Sequence, residues 1–221
     1  MTAYTFLSEG RTSLFTGVVW PPPGEWLAGR EVRATTVDHL VPWIDDELWV
    51  CELSEPVSVG AEGEILTAER ARLGERIVAW DEAAADDLTA ACVARACTHA
   101  VDAVRRNGSS EAEALSLLGA SEFASAATAV ASRLPEGQRE VVLFAADVVA
   151  LSRGRRPEEY ETPPDPRGAP TSASITANVA YVTAHVAGTV HPGGYDAGVA
   201  AERAWQLAWL RERLGIAEPS T

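Results

Sequence analysis

Residues 77–106 read IVAWDEAAADDLTAACVARACTHAVDAVRR, and the fold class turns on them. Up to Trp80, short apolar runs alternate with turn residues. From Asp81 the chain is alanine-rich and helical in period. Asp81 suits an N-cap, and Glu82 to Arg106 keeps apolar residues three and four apart, which predicts a helix. Asn107-Gly108 should stop it at a left-handed residue. The expectation is an α+β chain: a small β-rich N-terminal unit over 1–80, packed against a larger α-helical part over 81–221 as one compact domain.

Before that point, Tyr4–Leu7 and Leu14–Trp20 suit strands, and Pro21-Pro22-Pro23-Gly24 ends the second. Glu31–Thr35 suits a further short strand. Thr36 is placed to cap a helical turn from Val37 to Val41, which Pro42 should end. Leu48–Cys51 is a continuous apolar run and suits a strand buried on both faces. Glu64–Trp80 fits either strands or, over Ala68–Leu73, a helix. After Gly108, helices are expected over 110–118, 121–133, 136–152, 172–188 and 196–214, with Pro163–Pro170 as a loop or linker.

The composition excludes several functions. Of 221 residues, 47% are hydrophobic and 23% charged, enough to bury a sizeable core. The formal net charge is -14, and all 18 basic residues are arginine. Without lysine there is no Schiff-base amine and no P-loop lysine. So acidic a chain is a poor partner for nucleic acid or an anionic membrane surface. A cationic small molecule or a basic protein surface suits it better. The N-terminus lacks a basic n-region and an apolar h-region, and no apolar run of about 18 residues occurs. A soluble cytoplasmic protein is expected. Arginine in place of lysine in an alanine-rich chain resembles the usage of GC-rich genomes such as actinobacterial ones.

The first site candidate is Pro42–Leu53, where Asp45, Asp46 and Glu47 stand between Trp43 and Trp49. Crowded carboxylates raise one another's pKa, so one could serve as a general base near neutral pH. Equally, the three could simply be a solvated loop. His39, six positions before the acids, could carry a proton beside an aromatic wall. The second candidate is the polar stripe Asn178, Tyr181 and His185, spaced to share one helical face in an Ala/Val-rich segment. It suits either a pocket wall against the N-terminal unit or a satisfied buried network. His191, in Val190–Tyr195, lies in a glycine-rich loop that suits a lid or a plain connection.

Cys92, Cys97 and His99 do not have zinc spacing, and core cysteines are the expected reading. Cys51 completes an odd set of three with no CxxC pair, which argues against a disulfide framework. No GxGxxG follows a strand and no GxSxG occurs, so no cofactor or metal is expected. Trp205 and Trp209 share a helical face suited to docking or a subunit contact.

Leu40-Val41-Pro42-Trp43-Ile44 and Glu47-Leu48-Trp49-Val50 resemble the Leu-Pro-x-Trp and Glu-Leu-Trp elements of an uncharacterised actinobacterial family, with one residue inserted before the proline. The likeness covers residues 4 to 104 and Glu202 to Gly215. Arg33-Ala34-Thr35 stands where that family has His-Ala-Cys. The resemblance implies kinship of fold and no particular activity. In lacking any cofactor signature the chain is also similar to small proteins of natural-product gene clusters. Those are associated with closing strained rings by sulfate displacement beside a partner sulfotransferase.

These readings lead to a cofactor-independent enzyme of bacterial secondary metabolism that cyclises a small amine substrate, for example by sulfate elimination to a strained nitrogen ring. Asp45, Asp46, Glu47 or His185 would take the proton, with His39, Trp43, Trp49, Asn178 and Tyr181 binding the substrate. The alternative is a non-catalytic accessory or binding subunit of a partner enzyme.

Overall fold

The structure is a computed structural model that describes residues 3–13, 16–60, 65–106, 108–154 and 170–216. The chain is α+β, as its pattern predicts. It falls into two compact units, the first comprising Met1–Ala85, Ser172–Ala177 and Leu207–Thr221, the second Asp86–Thr171 and Asn178–Gln206.

The first unit holds a five-stranded antiparallel sheet: β1 (Ala3–Leu7), β2 (Trp26–Ala34), β3 (Glu47–Leu53), β4 (Ser58–Val59) and β5 (Leu66–Arg76). The order is β1-β3-β5-β2, and β4 pairs with the start of β5. Tyr4 and Thr35 exchange both backbone bonds at 2.8 Å, so the outer strands meet and the sheet curls on itself. Alternate residues point inward. Ala3 and Leu7, Val32 and Ala34, Trp49 and Cys51, and Leu66, Ala71 and Leu73 form one buried cluster with Trp20. On the other face Leu48 is also buried, and Phe6 meets Trp80 edge-on, ring centroids 5.6 Å apart. The tight central run of β3 therefore packs on both faces.

Four segments differ from expectation. Residues 16–20 form no strand; Thr12 and Val19 make a single bridge, and Leu14 and Phe15 lie outside the described residues. Strand β2 starts five residues earlier than Glu31. Its first residue, Trp26, pairs with Arg72 across the ladder and is covered by the Arg70 and Arg72 guanidinium groups at 4.7 and 5.0 Å. Ala68–Leu73, which the pattern leaves open between strand and helix, is strand, because β2 and β3 supply ladder partners on both sides. Pro42 does not end a turn. It sits in the first positions of a second 3-10 turn, Val41–Trp43, after Val37–His39, where its missing N–H costs nothing. Ile77–Trp80 is a turn closed by Trp80 N–H to the Ile77 carbonyl at 3.0 Å.

The helices are α1 (Glu82–Arg106), α2 (Glu111–Ser116), α3 (Ala120–Ala131), α4 (Glu136–Leu151), α5 (Ser172–Val190) and α6 (Tyr195–Leu214). Asp81 caps α1, accepting the Ala84 N–H at 2.8 Å. Gly108 follows at φ +74°. The expected linker over 163–170 lies outside the described residues except for Pro170. Among the described residues no helix is long and apolar enough to cross a membrane.

In the second unit α5 and α6 approach closely through glycine. A Cβ on Gly198 would stand 2.6 Å from the Ala187 carbonyl oxygen and 2.7 Å from Gly188 Cα. Buried polar groups fix the register. The Gln206 amide donates to the Ala180 carbonyl at 2.9 Å, and the Thr183 hydroxyl donates to the Cys92 carbonyl at 3.4 Å.

Candidate functional site

The acidic run belongs to the first unit, and each acid has its own partners. Asp45 is buried and accepts from the Ser8 hydroxyl at 3.0 Å and the Asp46 N–H at 2.9 Å. Its carbonyl accepts the Trp80 indole N–H at 2.8 Å. Asp46 accepts the Glu9 N–H at 3.1 Å. Glu47 takes the Trp49 indole N–H at 3.1 Å and pairs with Arg76 at 3.4 Å. The run ties different neighbours to the corner before β3, each carboxylate through its own hydrogen bonds. Trp49 is inside the sheet cluster. Trp43 lines a hollow of about 20 Å³, room for a water molecule and not for a substrate. His39 ends the first 3-10 turn with Nδ1 3.1 Å from the Thr36 hydroxyl.

Asn178, Tyr181 and His185 belong to the second unit and share the expected face of α5. Asn178 and Tyr181 are exposed and His185 is half-buried. The Tyr181 and His185 rings meet edge-on at 4.3 Å, and the Tyr195 hydroxyl is hydrogen-bonded to His185 Nδ1. Burial first, and then the Arg203 charge, push the His185 imidazole below its ordinary pKa.

A different cluster in the same unit has the geometry of a site. The Glu202 side chain on α6 is 1% exposed. Arg95 on α1 grips it in a fork, Nε at 2.8 and 3.0 Å and Nη2 at 2.6 Å. One helical turn further, His99 Nε2 stands 2.9 Å from Glu202 Oε2. Trp205 stacks beneath Arg95, 4.1 Å from ring centroid to guanidinium carbon, and so fixes the fork. Burial alone would raise the Glu202 pKa. The hydrogen bonds from His99 and Arg95 outweigh it and hold the carboxyl below the ordinary range.

An ionised carboxylate only accepts, so His99 must carry a hydrogen on Nε2. In the neutral ring Nδ1 then keeps its lone pair, as in an imidazole base oriented by a buried acid. His99, Arg95 and Glu202 line a cavity of about 510 Å³ together with Asp102, Arg105, Arg106 and the His191 loop. That volume suits a small molecule.

A larger hollow of about 760 Å³ follows the stripe Asp86, Thr89, Val93, Cys97 and Val101 of α1. Its one thiol, Cys97, is pushed up to about 11 by burial and stays protonated. Burial pushes Cys51 and Cys92 to about 12. Among the described residues no group of three or more His, Cys, Asp or Glu side chains is placed to hold a metal ion.

No protein-family model, curated protein or solved structure matches this chain. Arg95 and Glu202 went unmarked in the sequence pattern, and His99 stood there only beside the core cysteines. The available signal was small: Arg95 and His99 are two polar residues four apart on an otherwise alanine-rich helix.

Proposed function

We propose that this chain is a cofactor-independent acid–base enzyme acting on a small amine, with His99 as the base and Glu202 as the residue that positions it. The observation that carries the reading is the buried Glu202 carboxylate at His99 Nε2, beside a cavity of substrate size. It leaves Nδ1 as the proton acceptor. The reaction class is intramolecular displacement. The amine nitrogen gives a proton to His99 Nδ1 and its electron pair forms a new C–N bond. The bond from that carbon to its leaving oxyanion breaks with the electron pair on oxygen. The imidazolium then returns its proton to water. Sulfate is one such leaving group, and a sulfotransferase is the kind of partner that would supply the substrate.

Asp45, Asp46 and Glu47 serve in this reading as anchors of the corner before β3. For the accessory-subunit alternative, which rests on the Trp205 and Trp209 face, one side of the Trp205 ring is already taken by Arg95.

The test is sulfate release from aminoethyl hydrogen sulfate and longer amino sulfate esters, with the ring-closed amine followed by mass spectrometry. Wild type should turn over at least one ester, and His99→Gln should lower the rate about 10²–10⁴-fold. Equal rates in the two proteins, or no release from any ester by folded wild type, would sink the proposal.

A further inference from the structure

We infer that the cavity beside His99 contains an oxyanion subsite, built from Arg106 and His191, for a sulfate, phosphate or carboxylate group of the substrate. The inference rests on the reading of that cavity as the active site and adds the charge class of what it takes.

Three arginines line the cavity, and their partners differ. Arg95 is neutralised by Glu202, and Arg105 pairs with Asp102 at 2.7 Å. Arg106 donates from Nη2 to the Val190 carbonyl at 2.7 Å and from Nε to the Asp102 carbonyl at 3.3 Å. Both of its hydrogen-bond acceptors among the described residues are carbonyl oxygens, which leave its full charge in place. A guanidinium still has further N–H groups in its plane, and that fork matches an oxyanion.

His191 adds a donor with a defined tautomer. Its Nδ1 accepts the Gly193 N–H at 3.1 Å, so the neutral ring carries its hydrogen on Nε2. The loop is shaped for this. A Cβ on Gly193 would lie 3.1 Å from the His191 ring, and one on Gly198 would lie 2.6 Å from His191 Cβ. Gly194 takes φ +96°, a conformation that favours glycine. The lining thus offers a charged fork and an imidazole N–H, while the chain as a whole carries -14. An anionic ligand repelled elsewhere on the protein meets the opposite sign here.

The test uses the full chain, labelled with nitrogen-15. Arginine Nε–H and imidazole resonances are followed by NMR during titration with sodium sulfate, sodium phosphate or sodium acetate, each against sodium chloride at matched ionic strength. Saturable shifts at Arg106 and His191 that chloride does not produce are expected. Preference between the tetrahedral anions and acetate separates an ester from a carboxylate substrate. His191→Leu should weaken binding about tenfold, and Arg106→Gln should abolish saturation. Because Arg106 also holds the last carbonyl of α5, His191→Leu decides the matter if Arg106→Gln does not fold. Shifts no different from chloride, or unchanged affinity in His191→Leu, overturn the subsite. His99→Gln separates the two proposals. Anion binding with turnover indifferent to His99→Gln removes the base and keeps the subsite. Turnover dependent on His99 without saturable anion binding does the reverse.

Discussion

His99 Nε2 and Glu202 Oε2 stand 2.9 Å apart, although 103 positions separate the two residues in the chain. Glu202 is buried and Arg95 forks onto the same carboxylate, so three polar groups share one desolvated point. Replacing Glu202 by Gln keeps the shape and removes the charge. A fully buried pair broken this way costs about 3–5 kcal/mol. Arg95 is 33% exposed, so solvent offsets part of that loss, and about 2–3 kcal/mol is expected from urea denaturation. Turnover should fall about 10²–10⁴-fold through loss of the His99 tautomer. A variant as stable and as active as wild type would show the cluster to be incidental.

Acid should find the same cluster. The folded-state pKa of Glu202 lies below its unfolded value, about 4.3 for a free glutamate. Its contribution to stability is therefore complete above that unfolded value and is lost as pH falls through the folded one. The stability gap between wild type and Glu202→Gln should be widest near neutrality and narrow as pH falls below the unfolded value. A gap that does not change with pH would mean that the carboxyl titrates alike in both states.

Asp45 and Asp46 give a contrasting result. Asp45→Ala removes a buried acceptor from the Ser8 hydroxyl and the Asp46 N–H. It should cost about 1–3 kcal/mol. Asp46→Ala loses the exposed bond to Glu9 N–H and should cost less than Asp45→Ala does. Neither should lower turnover per folded molecule. A large rate loss in a well-folded Asp46→Ala protein would return the acidic run to the chemistry.

Gly198→Ala tests the seat of the His191 loop. The added methyl meets the Ala187 carbonyl oxygen and His191 Cβ at 2.6 Å, and backbone cannot yield as a flexible side chain would. A loss of about 1–3 kcal/mol is expected, with weaker sulfate binding where the loop is displaced. Unchanged stability would mean that α5 and α6 separate easily here.

His185 should titrate below an ordinary histidine, from burial first and the Arg203 charge second. Arg203→Gln removes only the second cause, so the NMR midpoint should rise part of the way. No rise would leave burial as the whole explanation.

The elements were legible where one periodicity dominated. The helix from Glu82 to Arg106 follows from apolar spacing and the Asp81 cap, and β3 follows from an apolar run. At Ala68–Leu73 the pattern fits strand and helix alike, because helix propensity is local, whereas the ladder partners from β2 and β3 that decide for strand are remote. The start of β2 at Trp26 escapes the local pattern for the same reason: the cation–π cover comes from Arg70 and Arg72, more than forty positions away.

By itself the sequence determined the α+β class, the helix boundaries and the arginine-only, acidic charge balance, since these depend on neighbours within a few residues or on composition alone. Only the tertiary structure decided that the three adjacent acids take separate partners, and that His99 on α1 receives a carboxylate from α6. A hydrogen bond is specified by distance and direction in space. No local pattern encodes the approach of α1 and α6 that brings such groups together.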